Sequence, residues 1–269
     1  METFTSVLIH LAGVVIFLAL YYFIPVISFY YLLFVRNKKK WQHYKIQQKY
    51  PERKQLKREI KYSLKSLAIF SLAGLFIYEV STRGYSLMYF NISDYGTLYF
   101  VVSLIITIFV NDTFFYWTHR LMHLKGLFNR VHLVHHKSTS PNPFSMFAFH
   151  PWEACIHAIN YILLTFIIPI HPVMFFAFHF YNLVTNLAGH CGFEFMPAKL
   201  TKHWFFNWQN TVTNHDVHHK NFDCHYGNYF LIWDKWMHTV EHKKTGLHPK
   251  ESSCGFEIIK KEEKNLEQL

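Results

Sequence analysis

Long apolar runs alternate with polar segments over the first 116 residues of the chain. Residues 3–35 contain no Lys, Arg, Asp or Glu and are rich in Leu, Ile, Val, Phe and Tyr. About 20 apolar residues span a bilayer, so this run predicts a first transmembrane helix, which Pro25 could kink. The run is too long for a signal peptide, and no small-residue cleavage site follows it. Two further apolar runs, 62–80 and 95–116, predict a second and a third span.

The polar segments between these runs differ in charge. Residues 36–61 carry eleven Lys or Arg and only two acidic residues. Because positively charged loops tend to stay in the cytoplasm, this basic segment is expected on the cytoplasmic side. The linker 81–96 has a single basic residue, as expected for the opposite side. The third span then returns the chain to the cytoplasmic side.

A second apolar region, 154–189, again lacks Lys, Arg, Asp and Glu. The sequence 169-PIHP-172 interrupts it, and proline pairs end helices. The region therefore predicts a helical hairpin. Its arms are short for full spans, so a re-entrant hairpin is an alternative.

Together these patterns predict an all-α integral membrane protein. It has about four to five membrane helices, namely two spans, a third span and the hairpin, capped by a cytosolic His-rich helical domain. We divide the chain into membrane anchor helices (1–111, with the basic segment 36–61), a His-rich domain that includes the hairpin (112–245) and a charged tail (246–269).

The composition narrows the functional class. The chain is 51% hydrophobic and 19% aromatic, yet its formal net charge is +10. A basic excess on so apolar a chain indicates a membrane protein with a basic face and no nucleic-acid partner. The four cysteines form no C-x-x-C pair, which argues against a zinc knuckle or a redox motif.

Histidines supply the candidate chemistry, since 18 of the 20 lie between His119 and His248. Three clusters have helical spacing, either i, i+4 or i, i+3, i+4, and the predicted topology puts them all on the cytoplasmic side. Their members are His119, His123, His132, His135, His136, His215, His218 and His219. Burying so many imidazoles is costly unless they have partners, and a metal is such a partner. Isolated histidines in apolar segments are instead expected to pack in the core; these are His10, His157, His171 and His179.

The number of clustered histidines bears on the metal. One zinc ion needs four ligands, so eight imidazoles indicate two metals. Imidazole suits iron, copper, zinc and nickel, and the Glu-x-x-His pattern of soluble di-iron bundles is absent from the sequence. We expect a dinuclear centre dominated by histidine, suited to binding O2 and oxidising an unactivated C–H bond.

The sequences 112-DTFFYWTHRLMH-123, 132-HLVHH-136 and 215-HDVHH-219 resemble the sterol desaturase and fatty acid hydroxylase superfamily of membrane di-iron enzymes. The stretches 141-PNPFSMFAFHPWE-153 and 226-YGNYFLIWDKW-236 are similar to sterol C-5 desaturases in particular. The superfamily usually has a Gly-Thr pair a few residues after its Trp-Asp. Here the corresponding residues read 236-WMHTVEH-242, in which His238 and His242 could form an extra metal pair or a solvated helix end.

The resemblance implies two iron ions, with zinc as a metal that a purified sample could contain, and O2 as co-substrate. It implies electrons from a b-type cytochrome or a ferredoxin. It also implies that the eight clustered histidines are ligands and adds His190 as a ninth. His150 matches a recurrent family histidine, either a ligand or a neighbour of one. Asp112, Glu153 and Asp216 are candidates to orient ligand rings.

The predicted function is O2-dependent hydroxylation or desaturation of a C–H bond in a sterol-like or other membrane lipid. Alternatives are a fatty acid, carotenoid or alkane hydroxylase, a bis-His haem carrier, and a non-catalytic membrane metal-binding protein or transporter. The last is disfavoured because the clusters flank the spans. The active site is expected on the cytoplasmic side of a bacterial inner membrane or of the endoplasmic reticulum. Four aromatic residues are expected to line a lipid-sized pocket or lie at the interface: Trp204, Phe205, Phe206 and Trp208.

Overall fold

A computed structural model describes residues 4–201 and 203–240. Regular structure in these ranges consists of helices, with only isolated β-bridges beside them, which confirms the all-α class. The tail 246–269 and His242 lie outside the described residues.

Three helices within the described ranges are long and apolar enough to cross a membrane. The first, α1 (Phe4–Tyr30), contains Pro25 and continues as a π-helix over Tyr31–Arg36. The second, α3 (Arg53–Thr82), and the third, α4 (Gly96–Met122), match the second and third predicted spans. At a rise of about 1.5 Å per residue, α3 is about 45 Å long, so its basic first turns extend beyond the hydrocarbon.

The outer face of α1 is apolar and exposed. Ile9, Ile16 and Ile24 are 64%, 59% and 60% exposed, respectively. A continuous apolar surface of this kind is unfavourable in water and is satisfied by lipid. The opposite face packs on the bundle, where Tyr22 and Val26 are fully buried.

The predicted hairpin is present as α7 (Pro151–Ile167) and α8 (Pro172–Gly189). Each helix begins with proline at its first position, where a missing N–H costs no hydrogen bond. His171 caps α8 by accepting a hydrogen bond from the Val173 N–H at 3.2 Å. Within the bundle, α7 packs against α3, and α8 packs against α4.

In the part of the chain that the structure describes, six short α-helices lie outside the long ones. They are α2 (Lys38–Trp41), α5 (Phe128–Val131), α6 (Leu133–His136), α9 (Ala198–Thr201), α10 (Val212–Asn221) and α11 (Ile232–Trp236). The first histidine cluster lies at the end of α4, and the second and third lie on or beside α6 and α10. The three clusters meet at one end of the bundle.

The basic segment is bound to the chain that follows the hairpin. The Ile46 N–H donates to the Gly192 carbonyl at 3.1 Å, and the Glu194 N–H donates to the Tyr44 carbonyl at 2.9 Å. Gly192 has a φ of +75°, and a Cβ there would lie 2.9 Å from the Pro141 carbonyl oxygen. These contacts place the basic segment at the same end of the bundle as the histidine clusters.

A buried carboxylate links α3 to the loop after the second cluster. Glu59 accepts hydrogen bonds from Ser138 at 2.6 Å and from Asn142 at 2.8 Å. Gln55, one turn earlier on α3, donates a third at 2.9 Å. The carboxylate therefore has several donors to offset its burial, and it fixes the loop that follows His136.

Candidate metal centre

All nine histidines expected as ligands come together in two groups. Within each group, one nitrogen of every ring lies within 4.8 Å of the others. The five-histidine group consists of His119, His123, His132, His136 and His218. The four-histidine group consists of His135, His190, His215 and His219. The groups adjoin, because the ring centroids of His136 and His219 are 4.8 Å apart.

Helical spacing determines which ring joins which group. Residues four apart share a helix face, whereas adjacent residues point about 100° apart. His119 and His123 at the end of α4 both enter the five-histidine group. The other two clusters are each divided between the groups.

In the second cluster, His132 and His136 enter the five-histidine group and His135 enters the other. In the third cluster this is reversed: His215 and His219 enter the four-histidine group and His218 enters the other. Each i, i+4 pair therefore stays together, while the ring at i+3 crosses to the neighbouring group.

Hydrogen bonds at Nδ1 fix three rings of the five-histidine group. His119 Nδ1 donates to the Tyr226 carbonyl at 2.8 Å, and His132 Nδ1 donates to Glu153 Oε1 at 2.7 Å. His218 Nδ1 donates to the Cys224 carbonyl at 2.6 Å. A ring that carries its hydrogen on Nδ1 presents a lone pair at Nε2, the form in which histidine binds metals.

One ring of the four-histidine group is fixed in the same way. His190 Nδ1 donates to the Asn186 carbonyl at 2.9 Å, so its Nε2 carries a lone pair. That Nε2 lies 3.0 Å from His215 Nε2 and 3.4 Å from His135 Nε2. Within the described structure, Nδ1 of His135 and of His219 has no hydrogen-bond partner.

The facing nitrogens fit a bound cation. His119 Nε2 and His132 Nε2 are 3.0 Å apart, and both present lone pairs because their hydrogens are on Nδ1. Such a contact is repulsive unless a positive charge lies between the rings. A proton does not supply that charge at neutral pH, since burial lowers the pKa of His132 to about 3. Burial likewise lowers the pKa of His190 to about 4. The donor set is therefore suited to metal ions that accept imidazole.

The other candidate residues take different positions. Glu153 contacts a clustered histidine, as its hydrogen bond to His132 shows. Asp216 accepts from the Gln47 amide at 2.9 Å, which links the third cluster to the basic segment. Asp112 is buried and accepts from the Tyr229 N–H at 2.8 Å. His150 caps α7 and lies in neither group.

The histidines expected to be packing residues lie in neither group. They are His10, His157, His171 and His179. His179, for example, packs edge-on against Phe175, with ring centroids 4.5 Å apart.

The Tyr-Gly and Trp-Asp sequences form a clasp that supports His119. Asp234 accepts hydrogen bonds from the Tyr226 and Gly227 N–H groups, both at 2.8 Å. A Cβ on Gly227 would lie 2.1 Å from the Phe230 carbonyl oxygen, so only glycine fits. The clasp holds the Tyr226 carbonyl in place to accept from the His119 ring.

Thr239 completes this clasp by donating to Asp234 at 2.7 Å. His238, just before it, has a φ of +54°, a left-handed conformation in which glycine is more stable. His238 and Thr239 thus stand a few residues after the Trp-Asp sequence, where a Gly-Thr pair was expected. His238 is exposed and belongs to neither group.

Three of these ring acceptors could not be predicted from the sequence. The carbonyls of Asn186, Cys224 and Tyr226 are backbone groups, which every residue type possesses. Gln47 was not predicted either, because a single amide side chain in a basic segment forms no recognisable pattern. The Tyr-Gly and Trp-Asp sequences were recognised as similar to the family, but their role in supporting His119 was not evident from them.

A cavity of about 260 Å³ adjoins the four-histidine group. His190 and His215 lie on its wall, together with residues of α8 and of the loop before α10.

The family model for fatty acid hydroxylases matches residues 104–239, about half of the chain. The chain belongs to the fatty acid hydroxylase family. The human lathosterol oxidase is 30% identical over 220 residues, which cover 80% of this chain and 69% of that protein. The mouse lathosterol oxidase is 29% identical over 227 residues, covering 83% and 71%. A Delta(7)-sterol 5(6)-desaturase of Gibberella zeae is 31% identical over 182 residues, covering 68% and 55%.

These findings confirm the resemblance to sterol desaturases and the assignment of this fatty acid hydroxylase family member as an oxidoreductase. No solved structure matches the chain. The matched residues contain both histidine groups, the hairpin and the Asp234 clasp.

Proposed function

We propose that this oxidoreductase oxidises a C–H bond of a sterol or sterol-like membrane lipid, with O2 as co-substrate. The similar proteins named above are a lathosterol oxidase and a sterol 5(6)-desaturase, which supports a sterol ring system as the substrate class. The product carries either a new hydroxyl group or a new double bond. Both outcomes begin with removal of hydrogen from carbon, and the histidines alone do not choose between them.

The two histidine groups support a centre of two iron ions, one in each group. The observation behind this proposal is the convergence of ring nitrogens in each group, where Nε2 atoms face each other at 3.0 Å. Iron bound there would supply the activation of O2 that side chains cannot achieve. Zinc accepts the same ligands and could replace iron in a purified sample.

The chain's own residues prepare the site for this chemistry. Glu153 and the Tyr226, Cys224 and Asn186 carbonyls hold the rings in the metal-binding tautomer. Seven of the nine rings are buried, which limits access of water. Hydroxylation consumes O2, two electrons and two protons beyond the substrate's C–H bond and releases one water. We therefore propose an external electron donor, a b-type cytochrome or a ferredoxin.

We further propose that both groups lie on the cytoplasmic side, since the basic segment is bound next to them. The hairpin would add one re-entrant element or two spans to the three long helices, giving four to five membrane helices. The division at residues 111 and 245 stays a prediction. The membrane is a bacterial inner membrane or the endoplasmic reticulum.

Lipid profiling by mass spectrometry tests the proposed function. A host expressing the wild type is compared with one expressing His218→Ala at the same level. We expect one sterol-like lipid to lose two hydrogen atoms or gain one oxygen atom only with the wild type. A change confined to fatty acids, carotenoids or alkanes would contradict the sterol assignment. Identical lipid profiles would favour a non-catalytic metal-binding protein.

A further inference from the structure

The cavity beside the four-histidine group gives external molecules a path to the candidate metal site. His190 and His215 form part of its wall. In the four-histidine group, His215 is partly exposed, whereas the other three rings are buried. The cavity therefore reaches a histidine of the centre that is not sealed by protein.

One wall of this cavity follows α8 toward the membrane. Tyr181, Thr185 and Gly189 line it, and they recur every four residues along one helix face. Eight residues of α-helix span about 12 Å, so the wall extends that far from the end of α8. The adjacent side chains Phe180 and Val184 are 62% and 48% exposed and apolar, as lipid-facing residues are. The cavity thus runs alongside a surface suited to lipid.

The segment that follows Glu194, a residue of the cavity wall, carries exposed apolar side chains, which we call the aromatic rim: Phe195, Leu200, Trp204 and Phe205. Trp204 is 77% exposed. Met196, next to the rim, lines the cavity itself. Large aromatic side chains of this kind are stable at the boundary between headgroups and hydrocarbon. Because Glu194 and Met196, the two neighbours of Phe195, both line the cavity, the rim begins at the cavity wall.

We infer that this cavity is a lateral access route by which a lipid reaches the four-histidine group from the bilayer, with the aromatic rim inserted in the membrane interface. The inference rests on the proposed function for the identity of the lipid. A cavity of about 260 Å³ is smaller than most whole-ligand pockets. It accommodates the reacting part of a lipid while the remainder stays in the bilayer.

A matched pair of substitutions on α8 tests the route. Thr185→Phe fills the cavity, and its lost hydroxyl bonds only to carbonyls of its own helix. Val184→Phe places the same side chain one residue away on the lipid-facing surface. Each protein is purified with its metal and placed in phosphatidylcholine nanodiscs that contain a sterol bearing a photoactivatable diazirine. Peptide mass spectrometry then locates the adducts, and iron content is measured in parallel.

We expect wild-type adducts on cavity residues such as Tyr181 and Met196. Thr185→Phe should lower their yield about tenfold with iron unchanged, whereas Val184→Phe should keep the wild-type yield. Equal yields in both variants, or adducts confined to lipid-facing residues, would overturn the access route. If Thr185→Phe also loses iron, Thr185→Leu serves as the smaller cavity-filling variant.

Oxidation assays on the same nanodiscs separate this inference from the proposed function. Cavity adducts without oxidation of any sterol leave the route standing and contradict the sterol oxidase. Oxidation that Thr185→Phe leaves unaffected supports the enzyme and overturns the route.

Spin labels test the rim independently of activity. A nitroxide is attached at Trp204→Cys or, as control, at Asp223→Cys, an exposed residue after α10. Both variants also carry Cys155→Ser and Cys254→Ser to remove competing thiols. The label at 204 should collide mainly with O2, which concentrates in lipid, and the label at 223 mainly with a water-soluble nickel complex. A label at 204 as accessible to nickel as the control would overturn the insertion of the rim.

Discussion

Both groups consist of histidines, but hydrogen bonds hold more of the rings in the five-histidine group than in the four-histidine group. In the five-histidine group, Nδ1 of three rings donates to a fixed acceptor. In the four-histidine group, the described structure shows such a bond only for His190, and the cavity adjoins this group. The five-histidine group is therefore preorganised by its surroundings, while the four-histidine group has fewer fixed rings and an adjoining cavity.

Acid should affect both groups and gives the largest expected change. Burial lowers the pKa of His132 to about 3 and of His190 to about 4, whereas an unfolded histidine has a pKa of 6.5. Below pH 6.5 the unfolded chain binds more protons than the folded one, so stability falls as pH falls. For each of these two rings, the free energy of unfolding should fall by about 2 kcal/mol between neutral pH and pH 5.

The measurement is thermal unfolding of the metal-free protein in detergent at both pH values. His132→Gln should reduce the acid sensitivity, because glutamine does not titrate. If His132→Gln unfolded with the same acid sensitivity as the wild type, the lowered pKa assigned to His132 would be contradicted.

Replacing Glu153 tests whether its hydrogen bond to His132 preorganises the five-histidine group. Glu153→Ala removes the acceptor that orients His132, so metal affinity should fall about 10- to 100-fold. Asp112→Asn is the control, since Asp112 is also buried but accepts its hydrogen bond from a backbone N–H and not from a ring. Iron content after dialysis measures both. Equal iron loss in the two variants would mean that Glu153 acts through general packing.

Chelation compares the rates at which the two groups release iron. We expect a chelator to remove iron from the four-histidine group about tenfold faster, because fewer of its rings are fixed. Iron release should therefore show two phases, and His190→Ala should remove the fast phase only. A single phase carrying all the iron would show that the two groups hold metal equally.

The smallest expected effect lies outside both groups, at His238. Its φ of +54° is a strained backbone conformation for residues with a Cβ but not for glycine. His238→Gly should stabilise the protein by about 0.5–1 kcal/mol, less than the full strain because glycine also loosens the unfolded chain. Unfolding in urea measures this difference. A loss of stability would indicate that the exposed imidazole makes a contact important for the fold.

The sequence was sufficient for the helices and for the set of clustered histidines. Hydropathy located α1, α3 and α4 because lipid demands long apolar runs, and proline located the break between α7 and α8. The division of the histidines was not predictable from the same spacing. His135 and His136 are neighbours in sequence but enter different groups, since adjacent helix positions point in different directions.

The ring acceptors were only partly predictable. Glu153 was a candidate because a carboxylate beside clustered histidines can orient a ring. The carbonyls of Asn186, Cys224 and Tyr226 depend on where the backbone passes, which local sequence does not determine. The docking of the basic segment was hidden for the same reason, as its contacts with Gly192 and Glu194 are between backbone groups.

The metal content of the protein decides whether the two histidine groups hold a pair of iron ions. The protein is purified without oxygen, and iron is counted by elemental analysis beside an absorption spectrum. The two groups predict about two non-haem iron atoms per chain, lost when His135 is replaced by alanine. A stoichiometric haem, or a single structural zinc that His135→Ala does not disturb, would contradict the account.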